Sequence, residues 1–436
     1  MAKLIEVKKK KNNVTLYLKK RGKYYTFRFQ QADIDLLKLL FEFDTLALYQ
    51  LEYYFERAYK ITGNAVRKKL LRWRESKLVK FKRYTRSPTD KIFYQLDKNG
   101  LDTLKKLNII SDEDIKKDIN SPDVNRNNSF DHYFCARDVA LLTKISLKNS
   151  NAEIESAPWL YKEIDNLIPD WILINKKNEC VLYIEADMGT EKSAAIQSKI
   201  KKYMELATKH PNRNVNVLFC VIDESDPALK YIRPLPVERY KRVWHLKNYI
   251  KEANGHTIKN LNFYVVNMSR AGYVGGKILI GSYPYTIDQK HTEIVKKTIS
   301  TLKKTYRSLE LLSPKDLYLS DEREELYGDG HFTIKNGGRE NVIILKVLEE
   351  GSVKDIDILQ FLLFLQKERR LKKTVKHIIG MYPYSDELHS DIIENTTGII
   401  YLASIDEWYK AMVMEQTPPF YYRKDYKVLK EEKFYE

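Results

Sequence analysis

The chain has 436 residues, of which 43% are hydrophobic and 31% are charged, a balance that is typical of folded globular proteins and leaves room for two or three domains. No apolar run approaches the roughly 20 residues of a membrane span, and the Lys-rich N-terminus lacks the apolar core of a signal peptide. Cys135, Cys180 and Cys220 have neither metal-ligand nor redox spacing, so we expect buried thiols in a reducing cytoplasm.

The positive charge of the chain is concentrated at one end. The formal net charge is +17, and residues 1–110 carry 27 Lys and Arg against 11 Asp and Glu, whereas the other 326 residues carry 49 against 48. A module that binds a polyanion concentrates its surplus in this way, while a uniformly Lys-rich chain spreads it. We therefore expect a nucleic-acid-binding domain in residues 1–110, with a solvated basic surface as the alternative.

Residues 1–110 predict a basic hairpin followed by a winged helix-turn-helix. Strands are indicated by alternating apolar residues, and helices by apolar residues three and four apart. In chain order, the predicted elements are strands at 14–18 and 24–29, helices at 33–43, 45–54 and 61–74, and strands at 78–84 and 92–96. In a winged helix the third helix enters the major groove of DNA while the two-stranded wing touches the backbone.

The third predicted helix and the wing supply the candidate DNA contacts. Polar and basic side chains of the helix would face the DNA, and cations of the wing would hold phosphates. The candidates are Thr62, Asn64, Arg67, Lys68 and Arg72 on the helix, and Lys82, Arg83 and Arg86 on the wing. Some winged helices bind proteins instead, but the segregated charge favours DNA.

A polar linker and then an α/β domain follow the basic domain. Residues 111–129 lack an apolar stripe and predict a linker. Residues 130–290 predict a helix, a strand hairpin, a second helix over 191–209 and a further strand, which is the order expected of a nuclease core. His132 and Asp138 lie on the first of these helices, where a structural pair is expected and assistance to an active site is the alternative.

Three carboxylates stand at the ends of the predicted hairpin. Asp170 precedes one apolar strand, while Glu185 and Asp187 end the next, so Asp170 and Glu185 should lie side by side, and Glu185 and Asp187 should share a strand face. Mg²⁺ and Mn²⁺ prefer such oxygen ligands, and the ion activates water and neutralises charge on a phosphate. The three residues are therefore the predicted metal ligands, with solvation of strand ends or helix capping as the alternative. The pattern resembles the PD-(D/E)xK nuclease motif, except that Asp187 stands where that motif has Lys.

Three segments resemble the replication-relaxation family of plasmids and integrative elements. They are residues 168–170, 183–190 and 198–203, and the resemblance extends over roughly residues 30–225. The family includes MobC-class conjugative relaxases, so the resemblance implies a restriction-endonuclease-like fold behind an N-terminal winged helix. It also implies that Lys199 supplies, from the helix, the Lys that is missing from the strand.

Lys199 and Tyr203 are four residues apart, so both project from one helical face. Beside a metal, Lys199 would stabilise charge developing on the scissile phosphate. Tyr203 is a candidate catalytic hydroxyl. The alternatives are a solvated charge for Lys199 and a core aromatic for Tyr203.

Residues 291–436 predict a second α/β domain that has the spacing of the first. The segment 341–352 and the helix after it parallel 181–190 and its helix, with Val347 in place of Glu185 and Glu349 in place of Asp187. We interpret this domain as a degenerate copy of the nuclease core that serves for dimerisation or docking. An unrelated α/β domain is the alternative.

Together these features predict a multidomain α+β and α/β protein that binds and nicks DNA for a mobile element. The expected cofactor is Mg²⁺ or Mn²⁺, and the expected partner is double-stranded DNA at an origin of transfer or replication, then nicked or single-stranded DNA. A second copy of the chain or accessory transfer proteins are further expected partners, and no membrane is expected. The alternatives are a non-catalytic replication initiator or origin-binding regulator, and a defence or repair endonuclease.

Overall fold

The computed structural model describes residues 3–10, 13–84, 91–116, 130–156, 167–225, 238–283, 289–305, 308–319, 324–336, 339–393, 396, 399–423 and 429–432. The chain is a mixed α/β protein that divides into two compact units. The first unit contains Met1–Glu179, Tyr183–Ala186 and Ile222–Leu235, and the second contains Cys180–Leu182, Asp187–Val221 and Pro236–Glu436. No helix in the described ranges is long and apolar enough to cross a membrane.

The first unit begins with a three-stranded antiparallel sheet. Its strands are β1 (Lys3–Lys10), β2 (Asn13–Lys20) and β3 (Lys23–Phe29), in the order β1-β2-β3. Arg21 and Gly22 join β2 to β3 with φ values of 50° and 79°, as a two-residue hairpin turn of the type I′ requires. The predicted hairpin is confirmed. Strand β1 was not predicted, because a register shift between Leu4 and Glu6 breaks its apolar alternation.

Three helices and a small sheet follow. They are α1 (Gln31–Phe43), β4 (Leu46–Ala47), α2 (Leu48–Tyr59), α3 (Gly63–Glu75), β5 (Val79–Tyr84), β6 (Lys91–Leu96), α4 (Lys98–Lys106) and α5 (Asp112–Lys116), with the sheet order β4-β6-β5. The predicted helices and strands of this region are confirmed to within a few residues. Helix α5 occupies the start of the predicted linker, and the rest of that linker lies outside the described residues.

These helices form because their apolar side chains recur on one face and meet in a common core. Leu37, Leu51 and Leu70, one from each of α1, α2 and α3, are fully buried. Polar contacts fix the helices to one another, since Lys69 of α3 pairs with Asp33 of α1. The outward face of α3 is thereby left to its basic residues.

The first unit is completed by α6 (Phe130–Ser146), β7 (Ile154–Ser156), β8 (Trp171–Asn175) and the Tyr183–Ala186 part of β9 (Cys180–Asp187), with neighbour order β9-β8-β7. Only four residues separate β8 from β9, so these neighbouring strands are antiparallel, as predicted. Arg137 of α6 lies over the ring of Trp171 at 4.2 Å and joins the helix to the start of β8.

The second unit begins with the rest of β9 and continues through two sheets. The first run of elements is α7 (Ser193–Lys209), β10 (Val215–Val221), α8 (Arg239–Glu252), β11 (Leu261–Asn267), α9 (Met268–Leu279) and α10 (Gln289–Thr305). Here the neighbour order is β11-β10-β9, and β10 and β11 are parallel. Strand β10 is buried along its whole length, which explains why all of its residues except Asn216 are apolar.

A seven-stranded sheet in the order β12 to β18 forms the remainder of the second unit. Its elements are β12 (Leu309–Leu311), β13 (Gly330–Asn336), β14 (Arg339–Val347), α11 (Val353–Lys367), β15 (Val375–Tyr382), α12 (Ser385–Ser390), β16 (Ile400–Ser404), α13 (Ile405–Val413), β17 (Phe420–Arg423) and β18 (Leu429–Glu432). Strands β14, β15 and β16 are parallel, and the other pairs are antiparallel. Apolar clusters cover both faces of this sheet.

Candidate functional site

The β8–β9 hairpin of the first unit fixes Asp170. This residue lies directly before β8, and its Oδ2 accepts a hydrogen bond of 2.8 Å from the backbone N–H of Ala186 on β9. Its Oδ1 lies 2.8 Å from Nε2 of His132 on α6. Asp170 is therefore held against the residue that follows Glu185, with its carboxylate oriented by two donors from two different elements.

Glu185 is 1% exposed on β9 of the first unit. Burying a carboxylate costs free energy that neighbouring donors or a cation must offset. An apolar side chain would pack at this depth at a lower cost, so the buried carboxylate of Glu185 requires compensating partners.

Asp187 is engaged in a two-pronged ion pair within the second unit. Arg242 of α8 donates from Nε to Oδ2 at 2.6 Å and from Nη2 to Oδ1 at 2.8 Å. The hydrogen bond to Asp187 raises the pKa of Arg242. Both side chains are at most 10% exposed, and Nη2 also donates to the carbonyl oxygen of Glu191 at 3.0 Å. Both carboxylate oxygens of Asp187 thus face a guanidinium, in place of the metal ion expected from the sequence.

Lys199 and Tyr203 occupy different environments on α7. Nζ of Lys199 lies 3.3 Å from Oε1 of Glu191, and its side chain is 21% exposed. Tyr203 is fully buried, with its ring edge-on to Phe263 at 6.1 Å between centroids. This burial matches the alternative of a core aromatic and speaks against a catalytic hydroxyl at Tyr203.

The turn between β9 and α7 explains why its Gly is needed. Gly189 has a φ of 80°, in the left-handed region that a residue with a Cβ rarely adopts. The turn redirects the chain into α7, which begins at Ser193. The chain from the end of β9 to Ser193 is therefore a strand end, a left-handed turn and a helix start.

His132 and Asp138 do not form the structural pair that the sequence predicted. His132 contacts Asp170, whereas Asp138 accepts hydrogen bonds from the hydroxyl of Tyr49 at 2.9 Å and from Nε2 of Gln50 at 2.8 Å. Tyr49 and Gln50 lie on α2, so Asp138 joins α6 to α2. His132 is thus placed beside Asp170, as in the alternative of assistance to the site, and Asp138 has a structural role.

The predicted DNA contacts on α3 and β5 are exposed where the structure describes them. They are Thr62, Asn64, Arg67, Lys68, Arg72, Lys82 and Arg83, whereas Arg86 lies outside the described residues. The opposite side of α3 is buried through Val66, Leu70 and Trp73. Arg67 also pairs with Glu52 of α2 at 2.9 Å, which holds its guanidinium at the helix surface.

The donor set fits a divalent cation in part. Asp170 and Glu185 offer carboxylate oxygens, and Mg²⁺ takes only one or two protein carboxylates beside water and phosphate. Asp187 fits less well, because both of its oxygens face the positively charged guanidinium of Arg242, which would repel a second cation. Within the described part of the chain, no group of three or more His, Cys, Asp or Glu side chains is arranged to hold a metal ion.

Comparison with known proteins gives a match to a family model and a weak likeness to a solved structure. Residues 37–222 match the family model described as replication-relaxation. A solved structure titled as that of the restriction endonuclease FokI is 12% identical, with a TM-score of 0.20 over 58% of this chain and 45% of that chain. A likeness this weak carries no argument, and the match spans less than half of that protein. No curated protein sequence matches the chain.

Proposed function

From the premise that residues 37–222 belong to the replication-relaxation family, we propose that this chain is a sequence-specific DNA-binding protein that nicks DNA at the origin of a mobile element. The observation that carries the proposal is Asp170 held by the backbone N–H of Ala186, next to the buried Glu185, inside the family segment. Two carboxylates held close together offer the oxygen ligands that Mg²⁺ takes from a protein, and such an ion assists phosphodiester cleavage.

DNA recognition is assigned to a winged helix formed by residues 31–96. The element order α1-β4-α2-α3-β5-β6 and the sheet order β4-β6-β5 support this assignment. Helix α3 follows α2 closely and turns its basic side outward, as a recognition helix does. The strands β5 and β6 would form the wing, whose tip at residues 85–90 lies outside the described residues.

Removing one exposed cation of α3 should weaken DNA binding. We expect Lys68→Ala to reduce affinity for all duplex sequences alike and to make the slope of log K against log salt shallower by about 1, since one phosphate contact releases about one counterion. Fluorescence anisotropy over a salt series measures both quantities. Lys177→Ala, an exposed Lys in the β8–β9 turn, is the control. A salt slope that equals that of the unaltered protein would contradict the recognition role of Lys68.

In the proposed reaction Asp170 and Glu185 hold the cation. Bound Mg²⁺ or Mn²⁺ would supply an activated water and neutralise charge on the attacked phosphate. The N–H of Ala186 and Nε2 of His132 keep the Asp170 carboxylate in one orientation, so that the site needs no rearrangement when DNA binds. Lys199 remains the predicted stabiliser of the scissile phosphate.

Nicking of a supercoiled plasmid that carries the cognate origin tests the proposal. We expect conversion to open circles in Mn²⁺ or Mg²⁺ and none in EDTA. Specific binding without nicking in either metal would instead support the second candidate, a non-catalytic origin binder. The Asp187–Arg242 pair favours that candidate, because it removes one predicted ligand from the metal.

We further propose that the C-terminal sheet repeats the nuclease core, with its cation site replaced by an internal ion pair. Asp329 precedes β13 as Asp170 precedes β8, and its Oδ2 accepts from the N–H of Val347 at 2.7 Å. Gly351, after β14, has a φ of 81°, close to that of Gly189. By these hydrogen bonds Val347 corresponds to Ala186, so Lys346 rather than Val347 stands in the place of Glu185.

Lys346 supplies in this copy the positive charge that a metal would supply in the first. Its Nζ lies 3.1 Å from Oδ2 of Asp329, and the side chains are 9% and 14% exposed. Burial alone would lower the pKa of Lys346, but the neighbouring carboxylates, Asp329 first among them, raise the pKa above its usual value. The charge of Asp329 is thus neutralised by Lys346 of the same sheet, so we do not expect this copy to bind a divalent cation.

Breaking this pair should destabilise the C-terminal sheet. We expect Lys346→Met to lower the free energy of unfolding by up to about 3 kcal/mol, because it leaves the partly buried Asp329 carboxylate without its cation. The double variant Lys346→Met with Asp329→Asn should recover part of the loss. Denaturant unfolding measures the free energy of unfolding of both variants. If Lys346→Met is as stable as the parent protein, Lys346 does not neutralise Asp329 as proposed.

A further inference from the structure

The N-terminal sheet carries a concentration of charge that the recognition helix does not explain. Residues 3–29 contain ten Lys and Arg and one acid, Glu6. The three strands of this sheet precede the segment that matches the family, which begins at residue 37. The sheet is therefore an added element of the first unit whose role the family assignment leaves open.

One face of the sheet is used for packing. Leu4, Leu16, Leu18 and Phe29 are buried, and the ring of Phe29 stacks on Trp73 of α3 at 4.9 Å. The N–H of Leu4 donates to Oδ1 of Asn99 on α4 at 3.3 Å. This inner face anchors the sheet to the helices of its own unit.

The outer face of the sheet combines aromatic rings with cations. Because side chains alternate along a strand, the residues between the buried ones point the other way. In register across the strands, this face carries Lys3, Glu6 and Lys8 of β1, Thr15, Tyr17 and Lys19 of β2, and Tyr24, Thr26 and Arg28 of β3. Tyr24 is 68% exposed, the highest value among the large hydrophobic side chains of the sheet.

Two cations lie beside the two rings. Nζ of Lys8 is 5.3 Å from the ring centroid of Tyr17, and Nζ of Lys19 is 5.4 Å from that of Tyr24. Lys19 stands opposite Tyr24 in the register, so Tyr17 and Tyr24 are diagonal neighbours on one surface. Each of these two aromatic rings on the outer face therefore has a positively charged side chain beside it.

We propose that this outer face binds single-stranded DNA, with bases stacked on Tyr24 and Tyr17 and phosphates held by Lys19, Lys8 and Arg28. Unpaired bases expose the π-faces that aromatic side chains stack on, and cations along the strands track the backbone. A duplex hides its bases inside, so it would use the charge of this face but not its rings. The proposal goes beyond the proposed function, which assigns duplex recognition to α3, and it does not require cleavage.

The test compares how the full-length protein binds a single-stranded oligonucleotide and a duplex of the same length, both in the absence of metal. We expect the protein to bind a fluorescent oligothymidylate of about 12 nucleotides, and Tyr24→Ala to weaken this binding about 5- to 150-fold, since one stacked base contributes on the order of 1–3 kcal/mol. The affinity of Tyr24→Ala for a labelled duplex should differ less than about 2-fold from that of the parent protein, which is within the usual variation among variants with independent effects. Tyr24→Phe keeps the ring and should retain the affinity for single strands.

Tyr25→Ala is the matched control. Tyr25 is 45% exposed on the same strand but stands opposite Leu18, on the inner face. The proposal is overturned if Tyr24→Ala and Tyr25→Ala behave alike, if Tyr24→Ala weakens single-strand and duplex binding equally, or if the parent protein does not bind the single strand. Because the assay contains no metal, failure to nick plasmid DNA leaves its outcome unaffected.

Discussion

Replacing Glu185 with Gln is expected to abolish nicking while leaving DNA binding intact. Glu185 is 1% exposed, and Gln has the same shape without the charge, so the strand should keep its packing. Loss of one group that stabilises charge in a reaction typically costs about 100- to 1000-fold in rate. We therefore expect the rate of open-circle formation in Mn²⁺ to fall by at least about 100-fold, as gel quantification over time would measure.

Glu179→Gln provides the matched control for this variant. Glu179 is exposed in the turn of the same hairpin, so it undergoes the same chemical change away from the Asp170 carboxylate. A second readout is the melting temperature with and without Mn²⁺, because an ion that binds the folded state raises it. Glu185→Gln should lose this increase and Glu179→Gln should keep it. Full nicking activity in Glu185→Gln would refute the assignment.

Replacing Arg242 with Met should destabilise the second unit. Arg242 is the two-pronged partner of Asp187, and their side chains are 10% and 5% exposed. Removing one partner of a buried pair leaves the other charge without compensation, which costs about 3–5 kcal/mol. Denaturant unfolding monitored by circular dichroism should show this loss, and the double variant with Asp187→Asn should recover part of it.

A double-mutant cycle separates the two roles that Asp187 has been given. If Asp187 serves the ion pair, Asp187→Asn and Arg242→Met will couple strongly, and Asp187→Asn will reduce nicking only as far as it reduces the folded fraction. If Asp187 is instead a metal ligand when DNA is bound, Asp187→Asn will abolish nicking at full stability. Additive effects of the two changes on stability would show that the pair contributes little.

Local sequence patterns were enough to predict helices α1 to α3 and the β8–β9 hairpin of the candidate site. Helices α1, α2 and α3 follow apolar residues three and four apart, and each has its own buried stripe. The position of Asp170 beside the strand of Glu185 follows from a four-residue connection, which permits only an antiparallel pair. Strand β1 was not predicted because its register shift interrupts the alternation of apolar residues that indicates a strand.

The residues that contact the site residues could not be predicted from the sequence. Arg242 lies 55 positions from Asp187, and no local pattern marks it among the other cations of α8. His132 was noted, but its contact with Asp170 depends on how α6 packs on β8. The burial of Tyr203 likewise depends on Phe263 of β11, 60 positions away, which spacing along α7 cannot reveal.

The sequence alone determined where the charge lies, which acids lie at the ends of the strands of the hairpin, and which family model residues 37–222 match. These properties are local, since they depend on composition and on the repeat of one strand or helix. Only the tertiary structure decided what each carboxylate faces: His132 and a backbone N–H for Asp170, a guanidinium for Asp187, and an ammonium for Asp329. The physical reason is that the compensation of a buried charge comes from groups distant in the chain, which only packing brings within hydrogen-bonding distance.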